Sequence, residues 1–216
     1  MNLDDLLHHS SEWLKGSGPH SDIVISSRIR LARNLEKVPF PHWANKKQAK
    51  QTLERVQEAL GRDEVCRKAT VFGLADMDAV DKQFLVERHL MSLEHAQKSE
   101  NKAVAVDSDE IISIMINEED HIRAQVMQSG FNLYEAWNII NRIDDVLGKD
   151  LQFAFSADWG YLTACPTNVG TGIRASCMLH LPSLVLTKQV HKVLQALSKL
   201  NLAVRGLYGE GTQASG

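Results

Sequence analysis

Three short stretches carry residue types whose chemistry depends on spacing. In Ser26-Ser27-Arg28-Ile29-Arg30-Leu31-Ala32-Arg33, a strand would send Arg28 and Arg30 to one face, since alternate side chains share a side. Two parallel guanidiniums repel unless an anion lies between them, and they can grip planar anionic oxygens in fork geometry. The other reading is a solvated strand edge with salt-bridged arginines. In Asn117-Glu118-Glu119-Asp120-His121-Ile122-Arg123, adjacent carboxylates follow the apolar run IISIMI. They either form an acidic surface turn or persist because a metal, a cation or a guanidinium compensates them. Asp120 and His121 make a weaker metal pair, because neighbouring side chains diverge. In Cys165-Pro166-Thr167-Asn168-Val169-Gly170-Thr171-Gly172-Ile173-Arg174, small residues form a tight loop whose backbone can approach an anion. Cys165 is there either a thiolate facing a cation or a buried thiol before an ordinary turn. Neither the P-loop nor the dinucleotide glycine spacing occurs here.

The elements that must position these stretches follow from periodicity. Leu3–Leu14 reads as a short helix broken at Gly16-Ser17-Gly18-Pro19, and Asp22–Ile29 as a strand. Helices are expected over Lys46–Leu60, Ala79–Ser92 and Leu184–Leu200, with a further one from Leu133 to Leu147 closed by Gly148. Ala69–Leu74 reads as a strand, Ala103–Asp107 and Ile111–Ile116 as a hairpin, and Gln152–Thr163 as a strand or hairpin. Strands neighbour strands at least as often as helices, so the expected class is α+β, an antiparallel or mixed sheet flanked by helices. A short N-terminal helical segment, 1–20, is expected before a catalytic unit, 21–216, and the glycine-rich ending GEGTQASG reads as a loop cut in mid-course.

Composition narrows the function classes. The 216 residues are 44% hydrophobic and 24% charged, an ordinary globular mix. A net charge of −3 argues against general attraction to nucleic acid or anionic lipid. No apolar run reaches the roughly 18–20 residues of a membrane span, and three cysteines without a CxxC disfavour a disulfide framework. A cytoplasmic protein with reduced thiols is the expectation. A hydrolase built on Cys165 is disfavoured, because no histidine sits in a recognisable partner motif.

The order of the stretches is more informative than any one of them. SSRIRLAR, then Glu87-Arg88-His89, NEEDHIR, CPTNVGTGIR and VRGLYGEGT together resemble the phosphagen kinase catalytic domain, the family of creatine and arginine kinases. The likeness runs from about Ser21 to Gly216. It implies the glutamine synthetase/guanidino kinase-like fold and transfer of the γ-phosphoryl of ATP, with Mg²⁺ held through the phosphates, to a guanidinium. Ser27, Arg28, Arg30, His89, Arg123, Arg174 and Arg205 match the ATP-holding motif positions. Glu119 matches the carboxylate that orients the acceptor, with Glu118 beside it. Cys165 matches the cysteine facing the guanidinium, and Glu210 lies in the loop that supplies a second carboxylate. Two positions depart from the pattern: Gln213 stands where a glutamate is frequent, and Tyr208 where an arginine is common.

The separate N-terminal helical domain of the small-molecule kinases is expected to be missing. That absence, with the wording CPTNVGTGIRASCMLHLP and VRGLYGEG, resembles the bacterial branch that acts on arginine in proteins. Protein substrates with exposed arginine are then implied, with a zinc-binding activator and a Clp-type unfoldase as partners. The region used for dimerisation in that branch is expected to be missing. The alternatives are a kinase for a free guanidino metabolite, or a non-catalytic module of the same fold that binds phosphoarginine or nucleotide.

Overall fold

The computed structural model describes Leu6, residues 10–62 and residues 64–206. Its centre is an antiparallel sheet whose strands lie in the order Thr70–Gly73, Ala103–Val106, Ile112–Ile116, Ile122–Ser129, Val24–Arg33, Ile173–Leu179. The strands are β1 (Val24–Arg33), β2 (Thr70–Gly73), β3 (Ala103–Val106), β4 (Ile112–Ile116), β5 (Ile122–Ser129) and β8 (Ile173–Leu179), with a small ribbon of β6 (Phe155–Ser156) and β7 (Gly160–Tyr161). The helices are α1 (Lys46–Arg62), α2 (Glu64–Arg67), α3 (Ala79–Glu87), α4 (Leu93–Gln97), α5 (Leu133–Asp150), α6 (Pro182–Leu186) and α7 (Val190–Lys199).

Strand alternation divides the sheet into two unlike faces. Ile29 and Leu31 of β1, Ile122, Ala124 and Val126 of β5, and Ile114 and Ile116 of β4 bury against Val56 and Leu60 of α1 and Ile140, Ile143 and Leu147 of α5. Truncating one of these fully buried aliphatics, such as Ile140→Ala, costs about 2–5 kcal/mol, so this layer fixes the sheet's orientation. The opposite face is covered toward β2 and β4, where Leu85, Val86, Leu90 and Met91 lie on Val104, Val106 and Met115, and the Glu12–Leu14 turn packs against β5 and β1. Toward β5, β1 and β8 that same face carries arginines.

The strand at Ala69–Leu74 and the 103–116 hairpin lie close to their expected bounds, while the strand expected over Asp22–Ile29 runs from Val24 on to Arg33. Helix α3 stops at Glu87 rather than Ser92, because the chain turns through His89 with a φ of +59°. Helix α5 runs through Gly148 to Asp150 instead of ending there. The expected helix over Leu184–Leu200 is two helices, separated where Lys188 takes a φ of +56°. Strands β5 and β8 flank β1 and were not expected from periodicity. Of the N-terminal helix expected over Leu3–Leu14, the described part holds Leu6, which is helical, and a 3₁₀ turn at Glu12–Leu14.

Candidate active site

Register assembles the arginine face. Arg30 of β1 lies opposite Gln125 of β5 and Arg174 of β8, while Arg123 of β5 lies opposite Ala32. Directly paired residues share a face, so Arg28, Arg30, Arg123 and Arg174 belong to one surface. Burial, and next the positive charges of Arg123 and Arg174, push the Arg28 guanidinium down to about 10. Burial, then Arg28, Arg123 and Arg174, push Arg30 down to about 8, against a smaller opposing pull from Glu118. The lowering reports burial first and then the positive potential of the neighbouring arginines, which a bound anion would relieve. Arg205 joins the cluster, its guanidinium lowered by partial burial and then by Arg174. His89 borders it, lowered by burial and then by Arg28, with its ring edge-on to Trp13 at 5.5 Å.

The β4–β5 connection sorts its acidic residues by direction. Asn117 takes a φ of +60° and its N–H donates to the His121 carbonyl at 3.0 Å, closing a tight loop. Glu118 turns inward. It accepts from Arg123 Nη1 and from Ser92 Oγ at 2.7 Å, and from the Glu119 N–H at 2.9 Å. Burial pushes this carboxyl up, but Arg123 and these donors outweigh it and hold it at about 2. Asp120 accepts from Asn34 Nδ2 at 2.5 Å and from the Ala164 N–H at 2.7 Å. His121 accepts from the Leu35 N–H at Nδ1 (3.0 Å) and donates from Nε2 to the Pro39 carbonyl (2.9 Å), which fixes a neutral ring. Burial, and next Arg55, lower that ring to about 4.

Glu119 is left half-buried, with its carboxyl raised by burial and then by the neighbouring charges of Asp120 and Glu118. The Asp120–Ala164 hydrogen bond draws the acidic loop against the cysteine loop, so Glu119 and Cys165 flank one contact. Cys165 sits at the start of a 3₁₀ turn, Pro166–Asn168, with its sulfur 3.0 Å from Thr167 Oγ1. Gly172, at φ +67°, lets this loop return to β1: a Cβ there would lie 2.6 Å from the Ala32 carbonyl oxygen.

Ser27 is not brought to the arginine face. It points to the other side of β1, donating to the Gly130 carbonyl at 2.7 Å and accepting from the Asn132 N–H at 2.9 Å. Glu118 is brought to the site but spent on Arg123. Glu210, with Tyr208 and Gln213, lies outside the described residues. Three residues that sequence reasoning did not single out support the site: Ser92, which holds Glu118; Asn34, which bonds both Asp120 and the His121 N–H; and His42, whose charge acts on Glu119. Only Ser92 carries a local sequence signal, as the N-cap of α4. Among the described residues no group of three or more His, Cys, Asp or Glu side chains could hold a metal ion.

An antiparallel sheet bearing an arginine cluster beside a partly buried glutamate and a cysteine defines a guanidino-kinase catalytic domain. The chain belongs to the ATP:guanido phosphotransferase family, whose C-terminal catalytic domain matches residues 51–216. Over 209 residues it is 51% identical to a protein-arginine kinase of Symbiobacterium thermophilum and 52% identical to one of Brevibacillus brevis, in each case across 95% of this chain. It spans 59% and 58% of those two relatives' lengths. Among solved structures, the duplicated taurocyamine kinase of Schistosoma mansoni with bound transition-state-analogue components superposes with a TM-score of 0.84 at 28% identity, over 99% of this chain and 31% of that one. A lombricine kinase, at a TM-score of 0.76 and 23% identity over 98% of this chain and 60% of that one, shares the fold.

Proposed function

We propose that this chain transfers the γ-phosphoryl group of ATP to the guanidinium of arginine residues in proteins, giving phosphoarginine. The observation that carries the proposal is the charge division of the site: a cluster of arginines on one side, and Glu119 with Cys165 on the other. Phosphoryl transfer is governed by alignment and by stabilisation of charge on the equatorial oxygens. Arg28, Arg30, Arg123, Arg174 and Arg205 supply that charge, and His89 borders the nucleotide side. Mg²⁺ enters as part of the nucleotide substrate, on its phosphates.

A guanidinium, with a pKa above ~12 and a delocalised lone pair, must be oriented and deprotonated to attack. Glu119 accepts two of its N–H groups and takes the proton as the N–P bond forms, while the bond from the γ-phosphorus to the bridging oxygen breaks and ADP departs. A carboxyl raised toward neutral pH is a stronger base for that proton. Cys165 adds a polarisable sulfur to the acceptor side, and Glu210 supplies a further carboxylate. Glu118 acts through Arg123, which it holds in place.

The roughly 50% identity to proteins named protein-arginine kinase supports a protein acceptor. The taurocyamine kinase likeness favours the second reading, a free guanidino acceptor. Incubating the chain with MgATP and either an unfolded arginine-rich protein or free arginine separates them. Acid-labile phosphoarginine on the protein is expected; transfer to free arginine alone would establish the second reading, and no transfer to either would reject both. The division of the chain near residue 20, a cytoplasmic setting, and a zinc-binding activator and Clp-type unfoldase as partners belong to the same proposal. No helix among the described residues is long and apolar enough to cross a membrane.

A further inference from the structure

One transverse row of the sheet joins the arginines to the turn that carries His89. Ser113 of β4 pairs with Gln125 of β5, Gln125 with Arg30 of β1, and Arg30 with Arg174 of β8, and directly paired residues project from one face. Two members of the row are arginines of the anion-binding side. The other two hold the turn after α3: Gln125 Nε2 donates to the His89 carbonyl and Ser113 Oγ to the Leu90 carbonyl. With its φ of +59° and its N–H on the Val86 carbonyl at 3.0 Å, His89 has a fixed backbone. Its ring is met by the N-terminal segment.

Trp13, only 5% exposed, lies edge-on to the His89 ring at 5.5 Å. The turn that carries it is tied down by its neighbours. Arg88 Nη1 donates to Ser11 Oγ at 2.8 Å and to Glu110 Oε1 at 2.9 Å, and Ser11 Oγ donates to the other oxygen of the same buried carboxylate. Arg88 therefore links the residue before His89 to the segment before Trp13. The Glu12 N–H donates to the Asp109 carbonyl at 3.2 Å, and further along the Gly18 N–H donates to Ser129 Oγ at 3.3 Å and the Phe131 N–H to the Pro19 carbonyl at 2.6 Å. Trp13 Nε1 is buried with no hydrogen-bond partner among the described residues, so the indole acts there by packing.

We propose that Trp13 is a positioning residue of the nucleotide side, setting the His89 ring beside the Arg30–Arg174 row so that it meets ATP in one orientation. The inference rests on the reading of the arginine face as the nucleotide side. The hydrogen bonds of the turn fix the His89 backbone but leave its side-chain torsions open, and a ring held in place beforehand loses less rotamer freedom when the nucleotide arrives.

The test is a double-mutant cycle on the whole chain, read by calorimetric titration of MgATP without acceptor. Trp13→Leu and His89→Ala should each weaken binding roughly three- to tenfold. The double variant should bind no more weakly than His89→Ala, because Trp13 acts through that ring. Trp13→Phe, which keeps an aromatic edge against His89, should retain most of the affinity. If urea denaturation shows that Trp13→Leu does not fold, Trp13→Met, a flexible filler of the same gap, takes its place in the cycle. Losses that multiply in the double variant, or a Trp13→Leu affinity within twofold of wild type, overturn the positioning role and leave the nucleotide reading standing. A wild-type chain that binds no MgATP removes the nucleotide reading and the positioning role with it.

Discussion

Strand β1 carries arginines on both of its faces, and the two faces treat them in opposite ways. On the helix side, Arg33 is satisfied throughout. Its Nε and Nη2 make a forked pair with Asp144 at 2.9 and 2.7 Å, its Nη1 donates to the Ala32 and Thr171 carbonyls, and its guanidinium carbon lies 3.4 Å from the centre of the Tyr161 ring. On the open side, neither Arg28 nor Arg30 has an ion-pair partner among the described residues, and both lie in the positive field of Arg123 and Arg174. A buried or half-buried charge kept for structure is neutralised within the protein; one left uncompensated is reserved for a ligand. The acidic loop repeats the contrast over three residues, since Asp120 and His121 bind backbone and amide groups while Glu119 between them and Glu118 keeps its carboxylate for the site.

The largest effect that sharpens this contrast is on rate. Glu119→Gln keeps the shape but removes the base, and should lower turnover by about 10² to 10⁴ while ATP affinity stays within roughly twofold. A Glu119→Gln chain with full phosphoryl-transfer activity would break the assignment. Arg33→Ala and Arg28→Ala then compare the two faces directly. Removing Arg33 strands Asp144 and should cost about 3 kcal/mol in urea denaturation. Removing Arg28 deletes a like-charge neighbour of Arg30, so folding stability should hold or rise, whereas KM for ATP should increase roughly 10- to 100-fold with loss of a charge-assisted contact. Equal destabilisation by the two variants would dissolve the distinction between the faces.

Much of the site was readable because its chemistry lies in short, ordered stretches. The spacing of Arg28 and Arg30 already requires a shared face, and the α1 and α5 helices show their apolar stripes plainly. Strand β5 escaped detection for a physical reason. Its apolar residues Ile122, Ala124 and Val126 alternate with Arg123 and Gln125, so the functional face interrupts the hydrophobic pattern with groups that look like loop. Strand β8, IRASCML, sits at the sheet edge, where small and polar side chains suffice. Adjacency alone could not tell which of Glu118, Glu119 and Asp120 faces inward; that depended on Arg123, Ser92, Asn34 and Ala164, which arrive from four separate segments. Ser27 was misleading because a strand neighbour of a ligand-facing arginine necessarily points to the opposite side.

The smallest predicted effect tests the inward half of the acidic loop by pH. His121 has an ordinary value near 6.5 in the unfolded chain and is pushed down to about 4 in the folded one. Below pH 6.5 the unfolded chain therefore binds a proton that the folded chain refuses, and this histidine progressively destabilises the fold until pH reaches about 4. His121→Gln loses the hydrogen bonds to Leu35 or Pro39, costing about 1–3 kcal/mol at pH 7.5, but it also loses the proton-linked penalty. The stability gap between wild type and variant should thus narrow as pH falls from 6.5 toward 4, by up to ~3 kcal/mol for a shift of that size. His95, which burial lowers to about 4, and Asp107, which burial raises to about 6, are present in both chains and cancel in the difference. Urea midpoints at pH 7.5, 5.5 and 4.5 read the gap. Parallel curves would mean that His121 takes up its proton as readily in the folded protein as in the unfolded chain, and the neutral, doubly bonded ring would then not be what holds the loop inward.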